Sequence, residues 1–355
     1  MANSGKHSAA ILGGGSIGKV HAYAYATLPF YSNPVPLNVQ VKYVVCAHAE
    51  SAATAAALLP EAIPETDWRK VLEDPEIDIV NICTPNDLHS EMLKAAIAAG
   101  KHIYCEKPLA ATLAEADEIA ALLPAFHGVS RMAFHIRCFA SAMKMKQMIA
   151  DGAIGEITEF RGCYMQNSHV DPNRPMRWKN RKSNGGGALA DIGSHLLDLT
   201  DWLVGPLVEG SAFQRTMNPN EADRADDTIS MLWKSAAGAV GSLHVSKAAH
   251  GTENTMKLEV YGTRGALRFD LEAPHFLEYC DGSGTAGWTR LAIGNRYALP
   301  DTEFPATKSG IGWVRAHCTN LAAFLRDVAA GTVSEGAPDL QRGIEIQRLM
   351  AMVNP

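Results

Sequence analysis

The sequence predicts an N-terminal α/β domain with a doubly wound parallel sheet over residues 1–130. An α+β domain on a mostly antiparallel sheet follows over residues 131–355. Three observations carry this prediction. Short apolar runs alternate with helical patterns as far as residue 130, and parallel strands need such crossovers. A glycine-rich turn joins the first apolar run to the first helical pattern. Beyond residue 155 longer strand patterns dominate, with one helix among them. A length of 355 residues suits two domains, and 47% hydrophobic residues suffice for a sizeable core.

In chain order, residues 9–12 are the first strand and 16–28 the first helix, broken by a loop with Pro29, Pro34 and Pro36. Residues 39–46, rich in Val and Tyr, are the second strand. An Ala-rich helix covers 49–59 and a short one 68–72. The continuous apolar run 77–83 is a strand, 90–99 a helix closed by Gly100, 102–105 a strand and 113–123 a helix. In the second domain a helix covers 141–151. Strands cover 156–164, 228–233, 239–246, 255–261 and 266–270, with a hairpin turn at 262–265. A helix at 191–203 interrupts them, and helices at 314–329 and 340–352 close the chain.

Lys and Arg number 32 against 38 Asp and Glu, a formal charge of -6. Without a long basic run, that balance argues against nucleic acid or an anionic membrane as the main partner and favours a small ligand. No apolar stretch reaches the roughly 18 residues of a membrane span. The polar residues 1–7 lack the basic and apolar regions of a secretory leader. The seven cysteines (Cys46, Cys83, Cys105, Cys138, Cys163, Cys280 and Cys318) are scattered, odd in number and without C-x-x-C. They read as reduced, mainly buried thiols of a cytoplasmic protein.

Gly13-Gly14-Gly15-Ser16-Ile17-Gly18 satisfies G-x-G-x-x-G between a strand and a helix, which is the context of a Rossmann dinucleotide site. Gly13 permits the tight turn, Gly15 lets backbone approach a pyrophosphate, and Gly18 lets helix and strand pack closely. The helix N-terminus offers free N–H groups and its positive dipole end to phosphates. The acid that usually ends the second strand and accepts from the NAD ribose is missing: Ala47 stands there, followed by His48. A 2′-phosphate meets no carboxylate at that point. The expected cofactor is therefore NAD or NADP, leaning to NADP or dual use, with Ala47 and His48 beside the adenosine.

Four stretches carry a family resemblance: the glycine turn extended to Gly18-Lys19-Val20-His21-Ala22, then Thr84-Pro85-Asn86-Asp87-Leu88-His89, then Glu106-Lys107-Pro108, and last the run from Gly185 to Asp198 containing Ala190-Asp191-Ile192-Gly193-Ser194-His195. Together, in this order, they resemble the Gfo/Idh/MocA family of glucose–fructose oxidoreductase, inositol dehydrogenase and relatives, across essentially the whole chain. Ala47, where many members carry Asp, and Ala140, near a common Pro, depart from the pattern. The segment from Asp171 through Pro172 and Trp178 to Lys179 resembles a region of the sugar and inositol dehydrogenase-like members.

The resemblance implies hydride transfer between NAD(P) and a carbinol or ketone carbon of a sugar, sugar derivative or cyclitol. Lys107 stands at a strand end of the parallel sheet, where ligands bind, and by resemblance reaches cofactor and substrate. Asp191 and His195 are four apart, hence on one helical face. Imidazole titrates near neutrality, so His195 is the expected base, with Lys107 and Asp191 completing a proton network. Thr84, Pro85, Asn86, His89 and Glu106 are expected beside the cofactor by family match. His135 and Arg137 are expected at substrate or the cofactor carboxamide and Trp178 at substrate, with His169 and Asn180 as weaker candidates. Asp198 is expected to cap or pair, and no metal is expected. By analogy with family dimers and tetramers, the second-domain sheet is expected to pack against another subunit. Two other readings share these residues: a redox-neutral NAD-dependent glycoside-cleaving enzyme, and a non-catalytic NAD(P)-binding regulator.

Overall fold

The structure, a computed structural model, describes residues 6–171, 173–284, 287–294 and 312–354. These fall into two compact units. The first takes the chain through His135 together with Gly312–Glu345. The second takes the chain from Ile136 and the residues from Ile346 onward.

The first unit contains β1 (His7–Leu12), α1 (Ser16–Tyr31), β2 (Val39–Val45), α2 (Ala49–Ala56), β3 (Ile63–Glu65), α3 (Trp68–Glu73), β4 (Ile79–Ile82), α4 (His89–Ala98), β5 (His102–Cys105), α5 (Leu113–Leu122) and β6 (Ser130–Met132). All its strand pairs are parallel, in the order β3-β2-β1-β4-β5-β6. Ala9, Ala10, Ile11, Leu12, Ile79, Val80 and Ile82 are completely buried, because helices cover both faces of a parallel sheet. That is why these strands read as mainly apolar runs, with Asn81 a buried polar exception. The strand order reverses between β1 and β4, so the turns after these two strands meet at the crevice of the doubly wound fold. Thr112 starts α5 with a capping box: its hydroxyl accepts from the Glu115 N–H, and Glu115 accepts from the Thr112 N–H.

The helix α8 (Trp313–Ala330) also belongs to this unit, whereas the sequence reading grouped it with the C-terminal domain. It packs along α1 and is locked by buried polar contacts. Asn320 donates to the Tyr104 hydroxyl at 2.9 Å and to the Met132 carbonyl at 3.2 Å. Arg131 pairs with Asp327 at 2.7 Å.

The second unit contains α6 (Ala140–Ala150), β7 (Ile157–Met165), a π-helical turn (Leu189–Gly193) running into α7 (Ser194–Val204), and seven further strands. These are β8 (Leu207–Arg215), β9 (Thr228–Ser235), β10 (Val240–Ser246), β11 (Thr255–Gly262), β12 (Gly265–Asp270), β13 (Phe276–Asp281) and β14 (Thr289–Ala292). The sheet order is β14-β13-β12-β11-β7-β10-β9-β8, antiparallel except for β7 with β10. The β11–β12 hairpin turns between Gly262 and Gly265, as the sequence predicts. On β9, Ile229, Met231 and Trp233 face the core, while Ser230, Leu232 and Lys234 face away. α7 packs on the sheet at β7 and β11. The chain ends in α9 (Leu340–Val353). None of the seven cysteines is in a disulfide, and Cys83, Cys105 and Cys318 are buried.

Candidate functional site

In the first unit, the turn after β1 has the geometry its glycines require. Gly13 has φ +108°, and a Cβ there would meet the Cys83 carbonyl oxygen at 2.5 Å. A Cβ on Gly18 would fall 1.8 Å from the Gly13 carbonyl oxygen, so only glycine lets α1 start this close to β1. Gly15 differs: a Cβ there would meet nothing within 4 Å. Gly15 and Ser16 are exposed, Ile17 is half-buried, and the start of α1 carries neither a side-chain cap nor an acidic residue. Free N–H groups at a glycine-lined helix start fit a pyrophosphate. Ala47 and His48 are exposed just past β2, with no carboxylate at the position that usually receives the ribose hydroxyl.

The turns after β4 and β5 are tied to each other. Thr84 and Pro85 are half-buried, and Asn86 is buried at the start of a 3-10 turn. His89 is completely buried, one ring nitrogen 2.9 Å from the Pro108 carbonyl oxygen and the other 3.0 Å from that of Thr84. It bridges the two turns, with both ring nitrogens on backbone carbonyls. Burial pushes its pKa down.

Glu106 is also buried. It takes a hydrogen bond from His21 Nε2 at 3.2 Å and supports the Lys107 backbone N–H at 3.3 Å. Burial opposes its charge, but the His21 hydrogen bond and the positive groups around it win and hold the carboxyl below its usual range. His21 lies on α1, so one imidazole couples the phosphate turn to the Lys107 turn. Its Nδ1 is 3.2 Å from Cys83 Sγ, whose thiol burial keeps protonated. Lys107 itself is half-buried at the end of β5, in a cis peptide bond to Pro108.

His317 stacks on His135 at 3.7 Å between ring centroids, and Trp313 sets its edge against both. His135 thus lies against the buried His317 and the exposed Trp313. Burial, then its neighbour His135, pushes the His317 pKa well down. His21, Glu106 and His317 bring donor atoms within 4.8 Å of one another, the one group among the described residues with the spacing of metal ligands.

In the second unit, the π-helical turn sets the geometry. Gly187 has φ +111°, and a Cβ there would lie 2.1 Å from Asp226 Oδ1. This glycine lets Asp226 cap the helix start, accepting from the Leu189 N–H at 2.9 Å. Burial pushes the Asp226 carboxyl up to about 6. Asp191 lies in the turn, and His195 follows in the first turn of α7, only 5% exposed and facing the Tyr164 ring. Asp191 Oδ1 pairs with Lys179 Nζ at 2.9 Å, and Oδ2 with Lys247 Nζ at 2.5 Å.

Around this pair, His169 donates from Nδ1 to Asp227 at 2.6 Å and accepts from the Asn180 amide at 2.9 Å. Asp227 also receives Arg224 at 2.9 Å and the Met217 N–H at 2.7 Å. Burial opposes its charge, but these donors hold it down at about 2. Trp178 is half-buried with Lys179 Nζ 5.4 Å from its ring centre, and Pro172 lies outside the described residues. Two of the three guanidinium nitrogens of Arg137 are committed to an acid of α7. Arg137 binds Asp198 through them, at 2.7 and 2.5 Å, and lies over Trp202. Asp198 pairs, as the sequence predicts.

Comparison with known proteins agrees with both units. The family described as "Oxidoreductase family, NAD-binding Rossmann fold" matches residues 7–134, and "GFO/IDH/MocA C-terminal domain" matches residues 142–268. The chain belongs to the Gfo/Idh/MocA oxidoreductase family. Among its relatives is a levoglucosan dehydrogenase of Pseudarthrobacter phenanthrenivorans, 34% identical over 90% of this chain and 89% of that one. An inositol 2-dehydrogenase of Rhizobium meliloti is 27% identical over 77% of this chain and 78% of that one. A solved levoglucosan dehydrogenase in complex with NADH and levoglucosan superposes with a TM-score of 0.91 at 32% identity, covering 99% of this chain and 96% of that chain.

Within this family member, sequence reasoning missed Lys247 as part of the Asp191 cluster and His21 as the link between turns. His21 was visible in the extended glycine motif. Lys247 had one signal: a cation directly after the apolar strand β10, where the chain leaves the core.

Proposed function

We propose that this protein is an NAD(P)-dependent dehydrogenase or reductase that moves hydride between nicotinamide and a carbinol or ketone carbon of a sugar, sugar derivative or cyclitol. One observation carries the reading. The chain matches a levoglucosan dehydrogenase over nearly its whole length, and both its open glycine turn and its Asp191–His195 cluster are intact. The bound nicotinamide supplies the hydride acceptor or donor. Lys107, on the turn that Glu106 and His21 brace, steadies the reacting hydroxyl. His195 takes the hydroxyl proton, a role imidazole side chains commonly fill in acid–base catalysis. Asp191 accepts a neighbouring sugar hydroxyl and completes the proton network. Trp178 offers an aromatic face to the sugar's C–H surface.

The exposed Ala47 supports NADP or dual use as well as NAD. A homodimer or homotetramer is supported by the outward face of the second-unit sheet. Phe213, Leu232 and Val240 lie on that face and are 89%, 63% and 54% exposed. An open apolar sheet face needs cover, and a monomer in sedimentation at working concentration would oppose this assignment. Seven cysteines outside any disulfide suit the reducing cytoplasm.

The test is absorbance at the reduced-nicotinamide band with NAD+ and NADP+, across levoglucosan, other anhydrosugars, pyranoses and cyclitols, for wild type and His195→Ala. Reduction by wild type, with kcat cut roughly 100- to 10,000-fold in the variant, supports the assignment of base. An unchanged kcat removes His195 from that role.

A further inference from the structure

The two lysines on Asp191 are not equivalent. Lys179 is 47% exposed at its side chain, on the segment that also carries Trp178. Lys247 is 3% exposed at its side chain, and its backbone is pinned on both sides: its N–H donates to the Asp227 carbonyl at 2.9 Å, and its own carbonyl accepts from the His169 N–H at 2.6 Å. An exposed ion pair exchanges with water and other donors at little cost, whereas a buried ammonium released from its carboxylate is stranded without solvent. Of these two lysines, the carboxylate therefore holds Lys247 permanently and Lys179 replaceably.

We propose that Lys247 is a positioning residue that locks Asp191 Oδ2 in the second unit, while Lys179 occupies Oδ1 only until a sugar hydroxyl takes its place. The proposal rests on the dehydrogenase reading above and names how that site receives its substrate. Lys247 makes the Asp191 carboxylate a rigid acceptor with one oxygen assigned in advance. The hydroxyl that displaces Lys179 then meets a preoriented oxygen, and its carbon is held relative to His195 in the next turn of the same helix. Rigid placement of this kind is what governs reactivity when reacting groups must meet in one geometry.

The charged and titratable groups around the pair come from every neighbouring element. Lys179 comes from the segment before the π-helical turn, His195 from α7, and Tyr164 from β7. Asp226 and Asp227 precede β9, with Arg224 and His169 on Asp227. Of these, the two lysines are paired with the carboxylate oxygens of Asp191.

Two readouts test the proposal. The first is steady-state kinetics with the best sugar of the panel. Lys247→Met and Lys247→Gln are expected to lower kcat/KM by roughly a hundredfold, mostly through KM, with NADH affinity unchanged. Lys247→Arg is expected to recover most of the loss, and Lys179→Met to lower KM, because no competing ammonium is left to displace. If Lys247→Met fails to fold, the Gln variant, which keeps a donor of similar length, decides the matter. Wild-type KM in the Gln variant, or equal losses at Lys179 and Lys247, overturns the proposal.

The second readout needs no turnover, so it separates failure of this proposal from failure of the dehydrogenase reading. The carboxyl carbon signal of Asp191, identified by its loss in Asp191→Asn, is followed against pH in protein with labelled aspartate. Its midpoint is expected to rise by about one pH unit or more in Lys247→Gln and to return in Lys247→Arg. An unmoved midpoint overturns the proposal even in a protein that reduces no sugar on the panel.

Discussion

Arg137 grips both carboxylate oxygens of Asp198, its Nε 2.7 Å from one and a terminal nitrogen 2.5 Å from the other, with both side chains almost fully buried. Asp198 lies one turn beyond His195 on α7. The pair therefore fixes the helix that carries the expected base, with Arg137 acting as a clamp through two of its three guanidinium nitrogens. Removing one partner of such a pair leaves a buried charge. Arg137→Met is expected to lose about 3–5 kcal/mol of unfolding free energy, and Arg137→Met with Asp198→Leu to lose clearly less than Arg137→Met alone. Urea unfolding measures both. A stable Arg137→Met with a raised sugar KM would instead restore the arginine to the substrate.

Gly15 is the glycine of the turn at which an added methyl has room. Its φ of -69° is also ordinary for alanine. Gly15→Ala is expected to change unfolding by less than about 1 kcal/mol, the scale of a helix-cap substitution. NADH affinity is expected to fall at least tenfold, about 1.4 kcal/mol, because the methyl occupies the space a pyrophosphate needs. Tryptophan-to-NADH energy transfer reads the affinity. Equal binding by both proteins would place the cofactor elsewhere.

Asp226 should leave a pH signature. Burial raises its folded pKa to about 6 from an ordinary 3.8, so the folded state prefers the protonated form. Its favourable contribution is complete below pH 3.8 and is lost as pH rises through about 6. Asp226→Asn keeps an oxygen for the Leu189 N–H and carries no charge. The variant is expected to match wild type near pH 4 and to be more stable by up to about 3 kcal/mol at pH 8. Chemical unfolding across that range checks it, and a constant difference at all pH values contradicts it.

Ala47 should govern the choice between cofactors. An aspartate there would accept from a ribose hydroxyl and repel a 2′-phosphate. Ala47→Asp is expected to shift the NADH over NADPH affinity ratio at least tenfold toward NADH, about 1.4 kcal/mol. An unchanged ratio would mean that the adenosine ribose lies away from this strand end.

The sequence carried the first unit well because its signals are local and strong. The strand at His102–Cys105 and the start of α1 at Ser16 fall where pattern and glycines place them. The parallel core strands are apolar on both faces, which no surface segment imitates. β8 was illegible for the opposite reason. It is an edge strand whose outer residues are exposed, so Leu207–Arg215 shows no clean alternation. The π-helical turn at Leu189–Gly193 has no composition signal. It depends on Gly187 giving room to Asp226, thirty-nine positions along. Side-chain commitments were the least legible part of the site. Nothing local to Arg137 or His89 reveals that Asp198 or two backbone carbonyls will claim their nitrogens. Lys247 was missed because a lysine after a strand ordinarily reaches solvent, and here the ion pair with Asp191 holds it inside.

The most direct measurement follows the hydride. The protein is incubated with NAD+ or NADP+ and each sugar or cyclitol of the panel bearing deuterium on its carbinol carbons, and the cofactor is recovered for mass spectrometry. The account predicts reduced cofactor that has gained one deuterium with at least one substrate, and no such product from His195→Ala in the same time. A protein that binds the cofactor yet transfers deuterium from no member of the panel, and reduces none of the corresponding ketones with deuterated cofactor, contradicts it.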